Sequence, residues 1–290
     1  MEAFLQHILN GLILGGTYAL LGIGLTLIFG IMSVVNFAHG EFYTLGAYGA
    51  FFFLILLETN FFVSLLGAVV LGIVLGAVCE RLLLRPLIGE SIETTMLVMI
   101  GVWIAMQNGE LLVWGGVAKS LDHPFPEAPL VFGLVSVAPL RLFVFGAALA
   151  LIGGSHLLIH RTKLGRAMRA TFQDRETAAL MGVDIHRIHT VTFAFGSGLA
   201  AAGGALLGPI FVVYPSMGDL AALKAFSVVI LGGLGNFAGA TLGGLLLGIA
   251  EELGAGYISS GYRDAVGFAI IILVLLLRPS GLFARAERVG

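Results

Sequence analysis

The sequence predicts an all-α membrane protein, a polytopic bundle of eight or nine transmembrane segments that forms a single domain over residues 1–290. Hydrophobic residues make up 58% of the chain and charged residues only 11%, against about 25% charged in ordinary soluble domains. Apolar stretches near 20 residues recur along the chain, the length that spans a bilayer core of ~30 Å. Because backbone groups in lipid must bond within their own segment, these stretches are predicted to be helices.

Nine apolar segments follow one another along the chain. They lie near residues 7–30, 40–57, 61–80, 94–113, 140–160, 190–212, 221–234, 236–254 and 262–278. The segment 221–234 is short for a membrane crossing, so it is either a crossing or one half of a broken helix, which leaves the count at eight or nine. Several of the 42 glycines stand four residues apart, as in Gly11–Gly15 and Gly244–Gly248. This spacing predicts closely packed helices.

Positive charge predicts the orientation of the bundle. Residues 161–187 hold six of the fifteen Lys and Arg residues between two apolar segments. With this loop in the cytoplasm, eleven basic residues, including Arg285 and Arg288, fall inside and four fall outside. Cytoplasmic loops carry such an excess, so the N-terminus is predicted outside and the C-terminus in the cytoplasm. Residues 115–139 become the large external loop and residues 161–189 the cytoplasmic one.

The basic loop itself is predicted to form a short helix over residues 164–182. Leu164, Met168 and Phe172 recur at helical spacing and form one apolar stripe. Three arginines lie off that stripe: Arg166, Arg169 and Arg175. Gly182 is a predicted helix stop. Two interpretations stay open: a helix lying on anionic lipid, or a docking helix for a cytoplasmic protein.

Polar residues cluster where the first apolar segment ends, at Asn36, His39 and Glu41, with Thr44 close behind. In a cytoplasmic turn they are ordinary solvated residues; at a helix break inside the bundle they line a substrate path. The sequence NFAHGE at Asn36 is echoed by NFAGAT at Asn236, through an internal repeat or by chance. Glu251 and Glu252 are predicted to be solvated at a helix end.

No enzyme is predicted from the motifs. The glycine-rich stretch 232–244 has no Lys, so it is not a phosphate-binding loop, and no Ser-His-Asp or H-E-x-x-H arrangement is present. His39 alone makes no metal site, and Cys79 is the only cysteine. A net charge of −2 indicates no nucleic-acid partner.

Four stretches resemble one transporter family: residues 24–48, 164–185, 225–248 and 278–283 are similar to LivH-type permeases of ABC importers for branched-chain amino acids. The resemblance implies a subunit of the bacterial inner membrane without cofactor of its own. Its implied partners are a LivM-type permease, two cytoplasmic ATPases that bind ATP and Mg²⁺, and a periplasmic substrate-binding protein.

The resemblance also implies site residues. The element that couples to the ATPases is expected to comprise Gly165, Arg166, Arg169, Ala170, Asp174, Ala178 and Gly182. The substrate path is expected to include Asn36, His39, Glu41, Thr44 and Asn236.

Three other functions compete with this one. A secondary transporter of the same substrates requires intramembrane acidic residues or ion sites, and mid-span carboxylates look scarce in the sequence. A passive channel is a second alternative. An ABC permease for urea or short amides is the nearest, because related permeases differ mainly in the residues that line the pocket.

Overall fold

Helices dominate the computed structural model, which describes residues 2–133, 135–279 and 281–283. In chain order the α-helices are α1 (Glu2–Met32), α2 (His39–Phe51), α3 (Phe61–Cys79), α4 (Ile92–Trp114), α5 (Pro139–Arg161), α6 (Lys163–Gln173), α7 (Arg175–Leu180), α8 (Ile185–Leu207), α9 (Met217–Gly232), α10 (Phe237–Tyr257) and α11 (Arg263–Leu277). Two short strands, β1 (Leu130–Phe132) and β2 (Val135–Val137), pair antiparallel as a hairpin between α4 and α5. Arg285 and Arg288, counted above for orientation, lie outside the described residues.

The all-α prediction is confirmed, and each of the nine apolar segments coincides with a helix. Within the described residues, seven helices are long and apolar enough to cross a membrane; α2 and α9 are shorter. The segment predicted at 190–212 is displaced, because the Asp184 carboxylate accepts a hydrogen bond from the Arg187 amide at 3.0 Å and starts α8 at Ile185. A side-chain cap of this kind fixes a helix start independently of hydrophobicity.

The two ends of the bundle are marked by different structures. At one end the Gln6 side chain of α1 bonds both the amide and the carbonyl of Ser136 in the hairpin, at 2.9 and 2.8 Å. At the other end α1 approaches α6, where a Cβ on Gly30 would lie 3.1 Å from the Phe172 ring. The external loop and the basic loop of the sequence prediction therefore lie at opposite ends. These are called the hairpin end and the α6 end below.

The chain turns back into the bundle after α1. Residues 33–38 are not helical, and α2 starts at His39, whose Nε2 lies 3.1 Å from the Leu21 carbonyl oxygen. Leu21 stands eleven residues before Met32, roughly 16 Å back along α1 at 1.5 Å per residue. Helix α2 thus begins beside the middle of α1 and runs towards the hairpin end, buried over nearly its whole length.

Glycines allow α1 and α10 to pack in backbone contact. A Cβ added to Gly15 would lie 2.7 Å from the Leu245 Cα, and one added to Gly11 would lie 2.6 Å from the Ile249 Cα. Gly244 and Gly248 face α1 from the other side of the same crossing. The close packing predicted from glycine spacing is present, and at these positions the contacting atoms are backbone atoms that cannot rotate away.

Gly15→Ala is expected to destabilise the chain by about 1–3 kcal/mol, the usual cost of an extra methyl group in a full core. Thermal unfolding in detergent measures the effect. Gly154→Ala on α5 is the matched control, because a Cβ there meets nothing within 4 Å. Equal melting temperatures for the two variants would contradict the backbone-contact interpretation.

Candidate functional site

The polar cluster predicted near the end of α1 is buried. Asn36, His39, Glu41 and Thr44 each have 0% exposure. They belong to the returning segment and the first turns of α2, so residues 31–40 are not an ordinary solvated turn. Neither amide atom of Asn36 and neither carboxylate oxygen of Glu41 has a hydrogen-bond partner in the part of the chain that the structure describes. Burying polar atoms without hydrogen-bond partners destabilises the fold. Such atoms are suited to bind the polar groups of a molecule that moves through the bundle.

Helix α4 contributes a second group of polar residues. Asp219, at the start of α9, accepts hydrogen bonds from Trp103 Nε1 at 3.1 Å and from Gln107 Nε2 at 2.9 Å. Glu110 lies two turns or less further along α4 and is 3% exposed. Asp219 was not foreseen, because a single acidic residue before an apolar helix gives no sign that a distant helix supplies its donors.

Asn236 lies apart from the other predicted path residues. Its Oδ1 accepts from the Gly239 amide at 3.0 Å and caps α10, while its Nδ2 donates to the Phe283 carbonyl at 2.6 Å. These are the contacts of a helix cap at the α6 end. The echoed NFA sequences both lie at a helix start: residues 36–38 precede α2, and in the second copy Asn236 caps α10, which begins at Phe237.

The basic loop folds into two helices, α6 and α7, because Asp174 interrupts the single helix predicted for 164–182. The Asp174 carboxylate accepts from the Thr177 hydroxyl at 2.6 Å and from the Thr177 amide at 3.0 Å, which starts α7. These two hydrogen bonds lower the pKa of the Asp174 carboxyl. Gly182 has φ +85°, so the predicted helix stop is the left-handed position that glycine adopts most readily.

Contacts of α6 explain several residues of the expected coupling element. A Cβ on Gly165 would collide with backbone carbonyls of Leu158 and Ile159, so only glycine lets α6 lie against the end of α5. The Arg169 guanidinium donates to the Ile159 carbonyl, which gives this arginine a structural contact that its place off the stripe did not suggest. Ala170 is half-buried beside them, and Ala178 is buried on α7.

The predicted apolar stripe packs on the bundle itself. Met168 is 1% exposed, Leu164 is half-buried against the core, and the Phe172 ring lies over Gly30 and Gly235. The stripe is therefore packed on the bundle at Met168 and partly at Leu164, while the Phe172 side chain keeps 49% of its surface exposed. Off the stripe, the exposed side chains of this element include Arg166, and Leu180 and Met181 at 87% and 81% exposure. In the sequence, this exposed apolar pair could have been noticed as two adjacent apolar residues that come directly before Gly182 and lie off the stripe.

A buried ion-pair group lies in the hairpin half of the bundle, and here the prediction of solvated carboxylates was wrong. Glu251 is 0% exposed and Glu252 is 7% exposed. Lys224 of α9 pairs with Glu251, which also accepts from the Tyr18 hydroxyl at 3.1 Å. Arg263 pairs with Glu252 at 2.7 Å. Glu41, Glu80, Glu110 and Glu251 are all buried, so intramembrane carboxylates are more numerous than the sequence suggested.

Comparison with known proteins gives this arrangement a family. The family described as the permease component of branched-chain amino acid transport systems matches residues 7–275, nearly the whole bundle. The chain belongs to this family. The family match covers both the returning segment before α2 and the α6–α7 element of this permease.

Individual relatives agree with the family match along almost their full lengths. This permease is 37% identical to the high-affinity branched-chain amino acid transport system permease protein BraD of Pseudomonas aeruginosa, over 98% of this chain and 97% of the relative. It is 36% identical to LivH of Escherichia coli K12, over 98% and 96%. It is 30% identical to the probable LivH of Methanocaldococcus jannaschii, over 96% and 92%. No solved structure matches the chain.

Proposed function

We propose that this permease is the transmembrane subunit of an ATP-driven importer for branched-chain amino acids. Its membership of the branched-chain amino acid permease family over residues 7–275 is the observation that carries the proposal. In this proposal the bundle alternates between states open to the two sides of the membrane, and separate ATPase subunits bias that equilibrium. A ligand or partner shifts such an equilibrium only through contacts that differ between the states.

The α6–α7 element is the part of this chain that suits those differential contacts. Its inner face is fixed to α1, α5 and the turn before α10, while Leu180 and Met181 project from the bundle. Exposed apolar side chains at the end of α7, together with the exposed Arg166 on α6, suit a protein surface with an apolar pocket and acidic rim. We assign this surface to an ATPase subunit, with Gly165, Arg169, Ala170, Asp174, Ala178 and Gly182 shaping it.

The remaining partners and the orientation belong to the same proposal. The α6 end faces the cytoplasm of a bacterial inner membrane, and the hairpin end with the N-terminus faces outwards, in agreement with the excess of Lys and Arg at the α6 end. A LivM-type permease completes the transmembrane pair, and a periplasmic binding protein delivers the amino acid. ATP and Mg²⁺ are held by the two ATPases, so this chain carries out transport and no catalysis.

The buried path residues supply the route for the substrate. Asn36, His39, Glu41 and Thr44 offer polar atoms at the point where α2 begins in mid-bundle. Glu110 and Trp103 of α4 and Asp219 of α9 lie close to Glu41, so these helices add polar groups to the proposed route. Discontinuous helices with polar residues at the break are a recurrent device of transporter sites.

ATP-driven leucine uptake is the expected result when the complete complex is reconstituted in liposomes with its binding protein. When ATP is supplied on the side of the membrane that carries the ATPases, leucine should accumulate on that same side. The purified permease alone should hydrolyse no ATP. Uptake driven by an ion gradient without ATP would contradict the proposal and favour a secondary transporter. The buried carboxylates are consistent with that alternative, because secondary transporters use intramembrane acidic residues. ATP-driven uptake of urea but not leucine would instead favour the amide permease.

A further inference from the structure

A cleft of about 370 Å³ lies in the hairpin half of the bundle, between α1, α9, α11 and the segment joining α8 to α9. Small-molecule sites occupy roughly 300–1,000 Å³. Aliphatic side chains form half of the lining, among them Leu14, Leu21, Leu207, Met217 and Leu220, and four aromatic residues add to it: Tyr18, Tyr43, Phe211 and Tyr214. Three charged residues, Lys224, Arg263 and Asp264, line it as well. The cleft thus joins an aliphatic wall to charges of both signs.

The charged side of the cleft is formed by ion-paired residues whose side chains differ in solvent exposure. The Lys224 ammonium lies 2.7 Å from Asp264 Oδ1 and also pairs with Glu251. The Lys224 side chain is 5% exposed and that of Asp264 is 46% exposed, while the Arg263 side chain is 32% exposed. Asp264 and Arg263 are therefore accessible to a molecule in the cleft, and Lys224 stands directly behind Asp264.

We propose that this cleft binds an aliphatic α-amino acid as its zwitterion. The ligand ammonium takes Asp264, the ligand carboxylate takes Lys224 and shares Arg263 with Glu252, and the aliphatic side chain lies on the leucine wall. The inference rests on the proposed function, because it names the residues that hold the amino acid during its passage.

Charge balance is the reason a zwitterion suits this cleft. When it enters between Lys224 and Asp264, it brings one charge of each sign, so each member of the opened ion pair receives a new partner. Glu251 remains on Lys224 throughout. A neutral amide brings no full charge, and an amine or a carboxylate alone leaves one protein charge unpaired in a largely buried site, which is strongly unfavourable.

The aliphatic wall sets a modest preference among side chains. Each buried methylene is worth about a fourfold gain in affinity, so leucine, isoleucine and valine are expected to bind within roughly tenfold of one another. Alanine should bind more weakly, since it leaves most of the wall uncovered. The geometry therefore specifies a class of substrates more strongly than one member of it.

Protection of an introduced cysteine tests the cleft independently of transport. Leu220 is 44% exposed on the wall, so Leu220→Cys in a Cys79→Ala background can be labelled by a small water-soluble thiol reagent. The experiment uses the complete complex in nanodiscs without ATP. L-Leucine should slow labelling, whereas 4-methylpentanoate and 3-methylbutylamine, each lacking one charged group, should not.

Asp264→Asn is expected to raise the leucine concentration needed for protection by about ten- to hundredfold, the usual effect of losing a charge-assisted hydrogen bond. Asp264→Glu keeps the carboxylate and should retain protection. Asp122→Asn makes the same charge change in the exposed loop before the hairpin and should have no effect.

Two outcomes would overturn the inference: equal protection by all three compounds, or protection by leucine that Asp264→Asn leaves unchanged. ATP-driven leucine uptake by the unaltered complex without any protection at residue 220 would overturn the cleft and leave the importer standing. Protection by leucine in a complex that shows no ATP-driven uptake would support the cleft and contradict the importer.

Discussion

Replacing Leu180 and Met181 together with aspartate is expected to lower substrate uptake by more than tenfold while the permease still inserts and folds. Both side chains are more than four-fifths exposed, at 87% and 81%, so the bundle loses no packing when they change. Buried apolar anchors of a protein interface each contribute about 2 kcal/mol or more, and a carboxylate in their place must be desolvated. Uptake and substrate-stimulated ATPase activity of the reconstituted complex measure the effect.

Exchanging the two residues is the matched control. Leu180→Met combined with Met181→Leu keeps an apolar surface of similar volume, and such swaps are usually tolerated. This variant should retain uptake and co-purify with the ATPases. If the double-aspartate permease also retained both properties, the α7 surface would not be the contact with the ATPase.

Lys224→Met is expected to destabilise the permease by about 3–5 kcal/mol, because it removes one partner of a buried ion pair. Glu251 has 0% exposure, and after the substitution its carboxylate keeps only the Tyr18 hydroxyl as a donor. Thermal unfolding in detergent, followed by the loss of monodisperse protein, measures the change. The effect should be among the largest of any single substitution outside the glycine crossings.

A second substitution separates the charge effect from the packing effect. Lys224→Met with Glu251→Gln leaves no uncompensated carboxylate on α10 and should recover most of the lost stability. Arg263→Met is the comparison and should cost less, because the Arg263 side chain is 32% exposed and Glu252 keeps His7 Nδ1 and Asn10 Nδ2 as neighbours at 3.4 Å. Should the double variant prove as unstable as Lys224→Met, the burial of Glu251 would not be the cause.

Helix positions could be predicted from the sequence because a membrane span is a local property. Length and hydrophobicity located all nine segments, although α1 and α8 each begin five residues before the predicted segment, and the capping carboxylate of Asp184 sets the start of α8. The pairings of buried charges could not be predicted, because they depend on which helices are neighbours. Lys224 and Glu251 are twenty-seven residues apart, and nothing local to either residue indicates the other.

The predicted site residues also separate into those whose environment depends on local sequence and those whose environment depends on neighbouring helices. Asn36, His39, Glu41 and Thr44 are consecutive enough that their common burial follows from one returning segment. Of the expected coupling residues, Gly165 and Gly182 carry backbone constraints and Asp174 carries a cap. Their role as a docking surface stays a prediction. Leu180 and Met181 escaped notice because an exposed apolar pair is recognisable only when the other face of the helix is known to be occupied.

The contacts of Phe172 connect the α6–α7 element to the end of α1, from which the chain returns to the middle of the bundle. Its ring rests on Gly30, near the last turn of α1, and on Gly235, just ahead of α10, while Arg175 Nη2 lies 3.4 Å from the Ile31 carbonyl oxygen. From Met32 only six residues, 33–38, lead to the start of α2, a tether of at most about 20 Å. The connection from α6 to His39 is therefore short, since it runs from the end of α1 through residues 33–38. If an ATPase displaces α6, as proposed, the side chains of Phe172 and Arg175 meet the end of α1, and from there one continuous stretch of backbone leads to the middle of the bundle.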